Sequence, residues 1–173
     1  MHKIDKIATM TFIIMFTLIG LVGYCPTAKA DSTIKIQYGL GFHPETHISD
    51  KIRSVNIGHY SRLEKSVSYA LTAGYLGDKT FDLETGYACA QFGTQIRVLS
   101  FAYAENYFGP CYFHEAHGAI SGHLQFATNI GFGWRDKNTG SEIGINWKHF
   151  SNAGIERPNL GLDLIMLSLG FGI

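Results

Sequence analysis

His149 and Ser151 stand two residues apart in the run Trp147-Lys148-His149-Phe150-Ser151-Asn152, and an acid, Asp163, follows beyond a short polar stretch. Serine, histidine and a carboxylate are the parts of an activated nucleophile. A serine hydroxyl attacks poorly until a base takes its proton, and the base needs a partner that fixes its tautomer. In an extended chain, residues i and i+2 share a face. The odd positions here are Ile143, Ile145, Trp147, His149 and Ser151, and the even ones Glu142, Gly144, Asn146 and Lys148. His149 and Ser151 therefore lie on the apolar face. Gly161, Asp163, Ile165, Leu167, Leu169 and Phe171 repeat the pattern, which puts Asp163 on the corresponding face of the next strand. Polar groups on a lipid-facing wall cost up to a few kcal/mol near mid-bilayer and almost nothing at the interface. The plain alternative is thus three tolerated rim residues.

The elements that must carry these residues are strands. Ile34, Ile36, Tyr38, Leu40 and Phe42 alternate with Thr33, Lys35, Gln37, Gly39 and Gly41, and Val67 to Tyr75 behaves alike. From Ile120 to Trp134 the even positions are mainly apolar and the odd ones include Ser121, His123, Gln125 and Asn129. A period of two predicts eight strands, at about 32–43, 51–61, 66–77, 79–91, 94–106, 118–135, 141–152 and 160–173. Most are long enough to cross a bilayer at a tilt. Gln91-Phe92-Gly93 and Asp136 to Gly140 read as tight turns. His43–Asp50, the segment from Asn106 to His117, and Ala153–Asn159 read as longer loops on the other rim, where Gly77-Asp78 is a short one.

The same alternation could face inward in a soluble lipid-binding barrel. Two features favour the membrane. Tyr38, Tyr69, Tyr75, Phe81, Tyr87, Trp134, Trp147 and Phe171 recur near strand ends on the apolar face, as an interfacial girdle would. The opposite faces carry many small residues, which suits a cramped eight-stranded lumen and excludes a wide pore. The expected fold is all-β: an eight-stranded antiparallel transmembrane β-barrel over residues 31–173. It is preceded by a cleaved signal peptide, residues 1–30, with Lys3 and Lys6, an apolar run from Ile7 to Gly23, and Ala28-Lys29-Ala30. The stretch after residue 30 holds 11 basic and 13 acidic residues, with no basic excess to bind nucleic acid.

The run His149-Phe150-Ser151-Asn152-Ala153-Gly154, then Pro158-Asn159-Leu160-Gly161 and Asp163, resembles the C-terminal signature of the lipid A 3-O-deacylases, the PagL family. Close similarity covers only this stretch, while strand number and leader agree over the chain. The resemblance implies an eight-stranded outer-membrane barrel that hydrolyses the 3-O-linked acyl ester of lipid A with a triad on its membrane-facing exterior. Carried over by position, Ser151 is the nucleophile, His149 the base and Asp163 the acid. Asn152 is the oxyanion residue, helped by the amides of Ala153 and Gly154, and Asn159 supports the site. The family has glutamate where Asp163 stands; Glu156 is a weaker candidate for the acid. The implied partner is lipopolysaccharide in the outer leaflet, with no metal or cofactor, and the oligomeric state, monomer or homodimer, stays open.

Other candidates read as structure. Ser121 and His123 fit a polar lumen network, and His114-Glu115-Ala116-His117 is one residue short of a zinc motif and reads as a solvated loop. Lys35, Arg53 and Arg97 are expected to pair with Glu84 or Glu142 inside the barrel. Cys89 and Cys111 are expected at opposite ends of the bilayer, beyond disulfide reach, and so as two free thiols. A non-enzymatic structural or adhesion barrel of the OmpA/OmpX kind would share everything except the Ser151, His149 and Asp163 set.

Overall fold

In a computed structural model, residues 32–43, 52–63, 67–79, 82–116, 120–136, 138–157 and 159–173 are described. The segment expected to be a signal peptide, residues 1–30, and Phe81, His117 and Pro158 lie outside them. Eight strands close into one antiparallel barrel: β1 (Ser32–Phe42), β2 (Ile52–Arg62), β3 (Ser68–Asp78), β4 (Leu83–Arg97), β5 (Ala102–Phe113), β6 (Leu124–Arg135), β7 (Glu142–Ser151) and β8 (Leu162–Gly172). β8 pairs back onto β1, from Thr33↔Gly172 to Phe42↔Asp163, so no edge is left unpaired.

The apolar face is the outer one. Ile36, Leu40, Phe92, Phe132, Ile145, Leu167 and Phe171 each keep about half or more of their surface exposed. The lumen instead holds Lys35, Gln37, Glu105, Asn146 and Lys148, all buried. A soluble barrel would invert this arrangement, because water would strand the outer apolar surface. Tyr38, Tyr75, Trp134 and Phe171 are exposed as the girdle predicts, whereas Tyr87 turns inward and is buried.

The lumen is filled in two zones. At the end that carries the termini, Lys35 Nζ lies 2.6 Å from Glu105 and 3.0 Å from Glu142, so the expected Lys35–Glu142 pair forms with Glu105 added. Arg135 also binds Glu142, and Asn146 donates to Glu105 at 2.7 Å. Arg53, Arg97 and Glu84 are exposed instead of joining this network. Toward the other end lies an apolar plug that includes Tyr87, Phe113, Phe150, Leu162 and Leu164. Asp136 accepts from the Asn138 N–H and the Thr139 hydroxyl in the β6–β7 turn, and these bonds hold its carboxyl below the usual range.

The strand plan needs one correction with a large consequence. Gln91-Phe92-Gly93 is not a turn but the middle of β4, and the connection falls at residues 98–101. Gly93 and Gly109 serve close strand approach: a Cβ at Gly93 would lie 1.8 Å from the Asn106 carbonyl oxygen, and one at Gly109 2.1 Å from that of Ala90. The shift moves Cys111 out of the expected loop and into β5, directly opposite Cys89, and the two form a disulfide rather than free thiols. β6 likewise starts at Leu124, so Ser121 and His123 belong to the β5–β6 loop and not to a lumen network. His123 is exposed and stacks on Tyr112.

Candidate active site on the outer wall

His149 and Asp163 meet at the rim opposite the start of β1 and the end of β8, while the hydroxyl of Ser151, two residues on along the same face, is bonded to Asn159 and the Ala153 N–H and not to the ring. β7 and β8 run antiparallel with His149 paired to Asp163, one rung before the last pair, Phe150↔Leu162. Both side chains point outward, and His149 Nδ1 lies 2.9 Å from Asp163 Oδ1. A carboxylate can only accept, so Nδ1 carries the proton and Nε2 is left as the basic nitrogen. The aspartate reaches the ring because the two backbones face each other directly. The His149 ring is held from the side by Trp147, at 5.8 Å between centroids and 23° between planes. Glu156, the weaker candidate, packs its carboxylate over Gly122.

Ser151 closes β7 on the same face. Its Oγ accepts from Asn159 Nδ2 at 3.1 Å and from the Ala153 N–H at 3.2 Å. Asn159 Oδ1 in turn accepts the Asn152 N–H at 3.2 Å, and Asn159 is clamped by a bridge to Ile120. The chain then reverses through two left-handed residues, Ala153 (φ 55°) and Gly154 (φ 79°). An alanine in that region costs about 1 kcal/mol or more, a strain typical of functional turns.

Asn152 turns its side chain into the loop instead of onto Ser151 Oγ. Its buried side chain donates to the carbonyls of Ser121 (2.8 Å) and Glu156 (2.9 Å) and accepts the Gly154 N–H at 2.9 Å. Both amide hydrogens are therefore spent on holding the loop, and so is the Gly154 N–H. The expected oxyanion residue Asn152 thus keeps its side chain on the loop carbonyls, while its backbone N–H bonds Asn159 Oδ1. The donors that reach Ser151 Oγ belong to Asn159 and Ala153. Sequence reasoning also missed Ser121, whose hydroxyl donates to the Arg157 carbonyl at 3.2 Å and whose carbonyl anchors Asn152. Nothing in its local pattern signals that role, because its partners lie across the β5–β6 and β7–β8 loops.

The inner side of the strand is anchored in the apolar plug. Phe150, between His149 and Ser151 in sequence, points into the lumen and packs against Tyr87 and Phe113, each with ring centroids 5.1 Å away. Among the described residues, no group of three or more His, Cys, Asp or Glu side chains could hold a metal ion, and His117 of the expected loop motif lies outside them.

The family model for the lipid A 3-O-deacylases (PagL) matches residues 36–172. A lipid A deacylase PagL from Bordetella bronchiseptica is 43% identical over 49 residues, 28% of this chain. That match spans only 27% of the relative's own length. In fold, the crystal structure of the outer membrane enzyme PagL superposes with a TM-score of 0.66 at 18% identity, covering 82% of this chain and 99% of the other. Neisserial surface protein A (NspA) follows at 0.60 and 8% identity, covering 84% of this chain and 98% of its own, so the barrel shape alone is shared more widely. Because the family model spans nearly the whole barrel, this chain belongs to the lipid A 3-O-deacylase (PagL) family.

Proposed function

We propose that this protein is an outer-membrane serine esterase that removes the 3-O-linked 3-hydroxyacyl chain of lipid A, with Ser151, His149 and Asp163 as its triad. The observation that carries the reading is the hydrogen-bonded His149–Asp163 pair on the hydrocarbon-facing wall, next to a serine held by two donors. The rim makes polar residues inexpensive, but mere tolerance does not call for an ordered His–Asp pair on the same face as a serine held by two donors.

The chemistry follows from the placement. With the site rim facing the outer leaflet, lipid A reaches the wall by lateral diffusion and needs no enclosed pocket. Ser151 Oγ swings toward His149 Nε2, gives up its proton and bonds to the ester carbonyl carbon. Asp163 stabilises the resulting imidazolium. Asn159 Nδ2 and the Ala153 N–H, already converging on Oγ, are the donors best placed for the developing oxyanion. The C–O bond to the sugar then breaks, with the imidazolium proton passing to the sugar oxygen. Water, deprotonated by His149, releases the 3-hydroxy fatty acid. Asn152 acts by shaping the loop.

Mass spectrometry of lipid A from cells expressing the wild type is expected to show loss of one 3-hydroxyacyl chain, and Ser151→Ala is expected to abolish it. An unmodified lipid A in wild-type cells, or equal loss in the mutant, returns the molecule to the class of structural barrels.

A further inference from the structure

Behind the outward triad lies a second histidine–carboxylate pair, inside the barrel. His43 follows β1 and Asp78 ends β3. Both are buried, with His43 Nε2 2.7 Å from Asp78 Oδ2. The other nitrogen, Nδ1, lies 3.1 Å from the carbonyl oxygen of Gly161. The ring thus bridges the end of β3 and the backbone at Gly161, with one nitrogen on each.

Gly161 is the residue that joins the inside to the outside. It sits just beyond the last β7–β8 ladder pair, two residues before Asp163, with φ at 66°. It lies outside the paired rungs of β7 and β8, and His43 reaches its carbonyl from the lumen. On its other side it backs the catalytic ring: a Cβ built on Gly161 would lie 3.0 Å from His149 Cε1 and 3.6 Å from Nε2. Gly161 is thus the floor beneath the edge of the imidazole that carries the basic nitrogen.

We infer that His43 and Asp78 are positioning residues for the esterase, fixing Gly161 and through it the tilt of His149 and the height of Asp163. The inference rests on the reading of His149 as the base. A misplacement of about 1 Å can cost about 100-fold in rate without weakening binding. A pair that merely stapled the rim would change stability and leave turnover per folded molecule alone.

The test uses the full-length protein, refolded in detergent, with lipid A as substrate and the folded fraction read from gel mobility without heating. His43→Ala and Asp78→Asn are expected to lower kcat about 10- to 100-fold with KM within about twofold, and His43→Gln, which keeps an amide donor, to recover part of the loss. Gly161→Ala intrudes on the ring without touching the buried pair and should lower kcat too. In parallel, the low-field proton resonance of His149 Nδ1–H should shift or broaden in His43→Ala but not in the outer-wall control Leu167→Ala. Unchanged kcat per folded molecule in His43→Ala and Asp78→Asn, or a loss confined to KM, overturns the inference, as does an unmoved resonance. If the wild type releases no acyl chain, the esterase reading fails by itself, while the resonance still reports whether His43 positions His149.

Discussion

His149 and Asp163 occupy one rung of the β7–β8 ladder, with Nδ1 and Oδ1 2.9 Å apart. The direct opposition leaves no slack for a longer acid. Asp163→Asn, which offers the ring a donor where it needs an acceptor, is expected to reduce kcat by about 100- to 10,000-fold. Asp163→Glu is expected to retain activity below wild type, because the extra methylene pushes the ring toward Gly161. Steady-state release of 3-hydroxy fatty acid measures both, and full activity in Asp163→Asn would remove the acid from the mechanism.

The two asparagines of the site should fail differently. Asn159→Ala deletes a donor to Ser151 Oγ and is expected to cost about 100- to 1,000-fold in kcat with little change in stability. Asn152→Ala strands the carbonyls of Ser121 and Glu156 and frees the turn at Ala153. Its loss should come with faster proteolysis of the β7–β8 loop, which limited digestion would reveal. Identical protection in both variants would contradict this division of roles.

Cys89 and Cys111 face each other across β4 and β5 at a sequence separation of 22. Closing such a loop stabilises by about 2–4 kcal/mol. The double variant Cys89→Ser/Cys111→Ser should unfold at lower urea while keeping its turnover, since the bridge lies inside the barrel. Unchanged urea midpoints with and without reductant would show that the bridge does not form.

Two buried lysines carry opposite expectations. Lys35 is paired with Glu105 and Glu142, so Lys35→Met leaves buried carboxylates uncompensated and should cost about 3–5 kcal/mol. Among the described residues Lys148 Nζ has no hydrogen-bond partner, and it lies 5.6 Å from the Tyr87 ring centroid. Lys148→Met should therefore be neutral or stabilising. Urea titration of the two variants in the same vesicles decides the comparison.

The outer wall should behave as lipid-exposed. Leu167 lies midway along β8 and is about half exposed. Leu167→Arg is expected to cost about 2–4 kcal/mol in folding into a bilayer, and much less for an arginine placed at the rim. Equal costs at the two heights would argue against a membrane around this barrel.

The sequence by itself determined the strand count, the outward sense of the apolar face and the shared face of His149, Ser151 and Asp163. Strand count and shared face follow from alternation, a local property of extended chain that survives any choice of register, while the outward sense comes from the aromatic girdle and the small residues of the opposite face. Alternation cannot say where a strand ends when glycine marks close packing and not a turn. Gly93 misplaced the β4–β5 connection for that reason, and with it the expected separation of Cys89 and Cys111. Only the tertiary structure decided the disulfide, the engagement of Asn152 with Ser121 and the contact of His43 with Gly161. Each depends on which residues of distant strands and loops share a rung or a rim, and that is set by barrel closure and packing across the lumen, which no local spacing encodes.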